Sequence, residues 1–275
     1  MTLETIYILR HGFRLNWVTT HWKSVTGLPR DPPLAAFGEA QAKEVADYFL
    51  SLPEDQRPTA IFSSPYYRCL QTSKPTAAAL GLPIYAEHGI AEWYSPVEPG
   101  TGLHPRPSSA SVLKAHFPEI DDSWSSLWYC SRKGEDVEAL HDRIAGFLTV
   151  FVPEVQRRFS GAHKRILLVS HAATVIALAR ELVGERSLSF RAACCSLTVL
   201  DRKVGDAAHL AVVGGWTARV LSDGSHLKDG AQRDWGFEDI AIADGKVIND
   251  HGIPGTENEK DEPVGSQIIE LSSRM

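Results

Sequence analysis

The chain has 275 residues, 43% apolar and 23% charged, enough to bury the core of one large α/β domain or two small ones. A net charge of −6 argues against general nucleic-acid binding but leaves room for a local basic pocket. Four irregularly spaced cysteines without a C-x-x-C pair argue against a disulfide framework or zinc site, and no apolar run reaches the ~20 residues of a membrane span.

"TIYIL" (5–9) reads as a strand buried on both faces and runs straight into "RHGFRLNW". A loop-like span, 16–38, follows. Ala42, Val45, Ala46, Phe49 and Leu50 then mark one face of a helix. "TAIFS" (59–63) is a second strand. "SSPYYRCLQT" opens the next helix, with Ser64 placed to cap it and Pro65 at its first position. "PIYA" (83–86) is a third strand. Residues 93–134 are irregular and rich in Pro, Ser and Trp; the expectation is an insertion over the sheet edge and the site, with one short helix near 108–117. A long helix spans roughly 135–158, "RILLVS" (165–170) is a fourth strand, and a helix runs from there to about Leu182, stopped by Gly184. "SLTVL" (196–200), "HLAVV" (209–213) and "ARVL" (218–221) read as later strands. The alternation predicts a three-layer α/β/α sandwich with a largely parallel central sheet and helices on both faces, over residues 1–248. From Asn249 the chain is polar, charged and contains Gly and Pro, so 249–275 is expected to be a disordered tail.

Open α/β sheets bind ligands beyond the carboxyl ends of their parallel strands. Arg10, His11, Gly12, Arg14 and Asn16 follow the first strand, Arg68 the second, Glu87 and Glu92 the third, and His171 the fourth. Arginines and histidines converging beside a helix N-terminus suit a dianionic phosphoryl group. Gly12 is expected to let the backbone approach that group and to offer it an N–H. No metal-ligand spacing is present, so no metal or other cofactor is expected. His104, His116 and His163 read as solvated, and the Cys194–Cys195 pair as buried.

"LRHGFR" (9–14), "PLAAFGEAQA" (33–42), "SSPYYRCLQT" (63–72), "GIAEW" (89–93) and "LLVSHAAT" (167–174) together resemble the histidine phosphatase, or phosphoglycerate mutase-like, superfamily. The resemblance implies that His11 is the nucleophile, that Arg10, Arg68 and His171 hold the phosphoryl oxygens, and that Glu92 is the proton donor. Arg14 matches the branch with arginine three residues after the nucleophile. Phe13 stands where mutases carry glutamate, and "AEWYSP" departs from the mutase pattern; both favour a phosphatase branch. Glu87 remains an alternative proton donor, and Asn16 either holds its loop or touches substrate. "RHGFRLNW", "EWYSP" and "DWGFED" are similar to the phosphatase-like domain of fungal tau-type subunits of the RNA polymerase III transcription factor.

The resemblance therefore implies a metal-independent phosphomonoester hydrolase acting through phosphohistidine on a phosphorylated small molecule or phosphoprotein. The alternative is an interaction module with protein partners in a transcription complex. Neither implies direct nucleic-acid or membrane contact. The N-terminus shows no basic and long apolar leader, so a cytoplasmic and/or nuclear setting is expected.

Overall fold

The computed structural model describes residues 3–205, 211–243 and 246–268. Its strands are β1 (Thr5–Arg10), β2 (Ala60–Ser63), β3 (Ile84–Ala86), β4 (Trp128–Tyr129), β5 (Arg165–Ser170), β6 (Leu197–Arg202), β7 (Trp216–Asp223), β8 (Ile242–Ala243), β9 (Lys246–Val247) and β10 (Gly265–Ser266). Its α-helices are α1 (Ala36–Ser51), α2 (Tyr67–Leu80), α3 (Ala110–Leu113), α4 (Val137–Arg158) and α5 (Ala172–Val183).

Six strands form one sheet in the order β3-β2-β5-β1-β6-β7. The pairs β3–β2, β2–β5 and β5–β1 are parallel, and β6 runs antiparallel to both β1 and β7. Successive strand residues point to opposite faces. Ile6, Ile8, Phe62, Ile166 and Leu168 pack on one side with Ile144, Phe147 and Phe151 of α4 and Ile176 and Leu178 of α5. Tyr7, Leu9, Ile61, Leu167 and Val169 pack on the other with Val45 and Phe49 of α1 and Leu70 and Ala77 of α2. Fully burying each such side chain stabilises the fold by ~1.5–3 kcal/mol, which explains why these strands read as continuous apolar runs. The largely parallel sandwich anticipated from the sequence is the architecture found.

Some local expectations are corrected. Ser64 does not cap α2. The helix begins at Tyr67, and the Tyr67 N–H is capped by the Asp31 carboxylate at 2.8 Å, from far upstream in the chain. In "HLAVV", residues 209–210 lie outside the described residues and 211–213 form a bend and turn, not a strand. His104 is buried, not solvated: it stacks on Tyr94 with ring centroids 4.6 Å apart.

The tail is also different from its compositional expectation over the described residues 249–268. β10 pairs with β4. The Asp261 carboxylate accepts from Ser131 Oγ and Arg132 N, both at 2.6 Å, and lies 3.3 Å from Arg106 Nη2. Isolated bridges join Val97 to Asp250 and Leu103 to Ile253. Both segments are too polar to form a core alone, but each satisfies the other's backbone and charged groups. Residues 269–275 lie outside the described residues. Within 93–134, Ile120 bridges Ile84, so this stretch covers the free edge of β3.

Candidate active site

The register of the central parallel pair builds the site. Arg10 faces Ser170 across β1 and β5, so His11 and His171 follow at neighbouring strand ends. The His11 N–H donates to Ser170 O at 2.9 Å, and the two imidazole centroids lie 5.4 Å apart. His11, Arg10, Arg14, Arg68 and Glu92 border a cavity of about 430 Å³, and His171 lies buried behind Arg68 and Glu92.

The ring of His11 is oriented by its own loop. Nδ1 lies 2.8 Å from Gly12 O, a carbonyl that can only accept, so Nδ1 carries the proton and Nε2 keeps the lone pair. Burial, and then the charges of Arg68 and Arg10, hold the His11 pKa well below the usual histidine value. A neutral ring with a free Nε2 is the form a nucleophile needs.

The expectation for Gly12 needs correction. Its N–H is already donated to Thr72 Oγ1 at 3.0 Å, so it is not offered to a ligand. Glycine is required there for packing: a Cβ would stand 2.7 Å from Gly38 O, where the start of α1 abuts the loop.

Three arginines supply positive charge in different ways. Arg10 Nη1 donates to Ala192 O at 2.7 Å and also to Arg233 O, while its Nε is buried without a partner. Arg14 Cζ lies 4.2 Å from the centroid of the Trp17 ring, and its Nε is likewise unpartnered. Burial, with help from Arg68, lowers the Arg14 pKa to about 10, so it stays charged at neutral pH. Arg68 is fully buried at the start of α2. Its Nη1 pairs with Asp31 at 2.9 Å and its Nη2 with Glu92 at 2.9 Å. Burial opposes its charge, but the two carboxylates push its pKa above the ordinary value.

Glu92 and His171 complete the group. Glu92 Oε2 lies 3.2 Å from His171 Nδ1, and His171 Nε2 lies 2.8 Å from Ser64 Oγ. Burial would raise the Glu92 pKa, but His171, Arg68 and Arg14 outweigh it and hold the carboxyl well below the usual range. Burial lowers the His171 pKa to about 4, only partly offset by Glu92. Glu92 therefore stands ionised beside a neutral His171. Asn16 also borders the cavity, with its Oδ1 buried and unpartnered.

Glu87 lies elsewhere. It is fully buried and accepts from the N–H groups of Gly89 and Leu127 and from Trp124 Nε1, at 2.8, 2.9 and 3.0 Å. Burial pushes its pKa up to about 7 against the pull of those donors. It organises residues 124–128 and does not border the cavity.

His11, Glu92 and His171 each present one potential ligand atom, all within 4.8 Å of one another. Three surrounding guanidiniums oppose a divalent cation there and favour an anion. Sequence reasoning missed Asp31, which both orients Arg68 and caps α2; the only signal was a single aspartate in "LPRDPPL". It also missed Trp235 and Arg30 at the cavity wall, where Trp93 and Tyr94 also stand; Trp17 packs against Arg14.

A parallel sheet whose central strands end side by side in histidines is the phosphoglycerate mutase-like α/β architecture. Residues 6–212 match the histidine phosphatase superfamily (branch 1), and the chain belongs to that family. Among curated relatives, the transcription factor tau 55 kDa subunit of Saccharomyces cerevisiae is 34% identical over 268 residues, spanning 88% of this chain and 60% of that protein. Among solved structures, the ecdysone phosphate phosphatase from Bombix mori in complex with tungstate superposes with a TM-score of 0.57 at 14% identity, covering 80% of this chain and 93% of that one. The mycobacterial glucosyl-3-phosphoglycerate phosphatase in complex with VO3 gives 0.52 at 18% identity, covering 80% and 99%. Identities this low establish the shared fold. No helix among the described residues is long and apolar enough to cross a membrane.

Proposed function

We propose that the protein is a metal-independent phosphomonoester hydrolase that works through a phosphohistidine on His11. The observation that carries this reading is the His11 tautomer: Nδ1–H is spent on Gly12 O, which leaves Nε2 as the lone-pair nitrogen among three guanidiniums. Arg10, Arg14 and Arg68 neutralise the phosphoryl oxygens, and their planar forks stay charged at working pH. Nε2 attacks phosphorus in line, the ester P–O bond breaks, and protonated Glu92 gives its proton to the departing oxygen. Water then attacks the phosphohistidine, Glu92 takes back a proton, and inorganic phosphate leaves with His11 neutral again.

Glu92 is ionised beside Arg68, Arg14 and His171, so it must gain its proton when substrate binds. The geometry provides the means. Phosphoryl oxygens compete with Glu92 for Arg68 Nη2 and His171 Nδ1 and add negative charge beside it. The bound dianion thus raises the pKa of its own proton donor.

Acid–base trapping tests the reading. Wild-type protein quenched during turnover of a phosphomonoester should carry a phosphoryl group that is labile in acid and stable in base. His11→Ala should carry none and turn over at least about 10³-fold more slowly. An acid-stable adduct, or a His11→Ala variant of near-normal rate, contradicts it.

One finding favours a second reading, an interaction module within a nuclear transcription complex. The transcription factor subunit is 34% identical to this chain, whereas the two phosphatase structures share 14% and 18%. The site residues fit activity, and the two roles are compatible in one protein. Wild type and His11→Ala used as baits in native extract separate them: equal partner recovery with no turnover by either favours the module alone.

A further inference from the structure

We propose that Arg30 forms a second anion-binding position at the mouth of the cavity, and that Asp250 of the C-terminal segment occupies it until such a ligand displaces it. The position would select substrates bearing a carboxylate or a second phosphate beside the group to be transferred. The inference rests on the phosphoryl-binding reading above and assigns that site a substrate class.

Both residues border the cavity that contains His11. Arg30 is tied to its floor, since its carbonyl lies 3.4 Å from Arg68 Nη1. Its backbone has φ of 59°, a left-handed conformation in which glycine would be easier. An arginine kept at such a position directs attention to its side chain. That side chain reaches Asp250 Oδ2 and His251 O, both at 2.6 Å, and His104 Nδ1 at 3.4 Å.

The Arg30 pair differs in kind from the pairs beneath it. The Arg68 and Asp31 side chains are each 1% exposed, whereas Arg30 is 31% and Asp250 49% exposed. An ion pair this open to water contributes little and exchanges readily. The main chain of Asp250 is nevertheless fixed: its N–H donates to Pro96 O at 3.1 Å and its carbonyl accepts from Glu98 N at 3.0 Å. The tail therefore holds one carboxylate at the mouth, against a guanidinium that is partly open to water. A substrate whose remainder is neutral leaves the pair intact. A substrate with a second anionic group can take Asp250's place on Arg30, and gains a charge-assisted contact only by displacing it.

Calorimetric titration with phosphonates, which are not hydrolysed, reads binding apart from turnover. A series of ω-phosphonocarboxylates of two to five carbons is compared with the matching alkylphosphonates, so that one member spans whatever distance separates the two sites. In wild type the best carboxylated member should bind tighter than its alkyl partner. The ratio of the two affinities should rise about tenfold in Asp250→Ala, which removes the competitor, and fall to about one in Arg30→Gly, which keeps the left-handed backbone at no strain. A ratio unchanged in both variants overturns the second position while leaving the phosphoryl pocket standing. Failure of every phosphonate, alkyl and carboxylated, to bind wild type overturns the pocket and this inference with it.

Discussion

Each charged side chain in the site is defined by what it already holds. Arg10 and Arg68 are gripped by carbonyls and carboxylates, so their positions are set before any ligand arrives and little reorganisation remains for binding. Glu92 and His171 are the adjustable members, because their protonation depends on a neighbour that a dianion displaces. Sulfate, which does not itself titrate near neutrality, should therefore bind with uptake of a proton. Its affinity should rise as pH falls from 8 to 6, with a binding heat that varies with the buffer's ionisation enthalpy. Glu92→Gln should remove most of that uptake. Affinity independent of pH, with heats equal in all buffers, would show that Glu92 keeps its charge with ligand in place. The places of His11 and His171 were legible because each directly follows an apolar strand, as were Arg10 at the end of β1 and Arg68 in the first turn of α2. Asp31 was not, since its partner lies in another element and nothing local in "LPRDPPL" encodes a reach to α2.

Elements, more than single residues, place the loop after β1. The start of α1 approaches that loop so closely that a Cβ on Gly38 would sit 2.2 Å from Phe13 O and 2.7 Å from Phe13 N. Backbone cannot yield as a flexible side chain can, so Gly38→Ala should push Phe13, and with it the Gly12 carbonyl that sets the His11 tautomer. Overpacking of this kind costs roughly 1–3 kcal/mol. The expected result is a lower urea midpoint together with a larger drop in kcat than in substrate affinity; a variant with wild-type stability and rate would mean the loop and helix are not rigidly coupled. The strands and long helices were legible from periodicity, since burial on both faces leaves continuous apolar runs. The ordered tail was not, because its stabilising partners are the polar groups and free backbone of 93–134, and composition alone cannot see a complementary segment.

Stability of the whole molecule is tied to pH through groups buried in it. His88 and His171 are held at about 4, and His11 is lowered as well, so at mildly acidic pH the unfolded chain binds more protons than the folded one. Their contribution is complete above the ordinary value of 6.5 and is lost as pH falls toward 4; a shift of that size is on the order of 3 kcal/mol per histidine. Asp31 is raised, and Glu87 is pushed to about 7, so these two carboxyls act in the opposite sense, losing stability as pH rises through their folded values. Burial lowers His104, His163 and His226 as well, so with six histidines against two carboxyls the melting temperature should fall between pH 7 and pH 4.5, and a rise over that interval would reverse the sign assigned here.

The strand order has a consequence in time. β1 is made long before its two neighbours in the sheet, β5 and β6, which begin at Arg165 and Leu197. At ribosomal speeds of ~5–20 residues per second, "TIYIL" waits on the order of ten seconds without either pairing edge satisfied. Such separated pairings also slow folding once the chain is complete. His11 thus leaves the ribosome well before His171, so the site assembles only after β5 is made, and the unpaired β1 is in the meantime a natural client for chaperones.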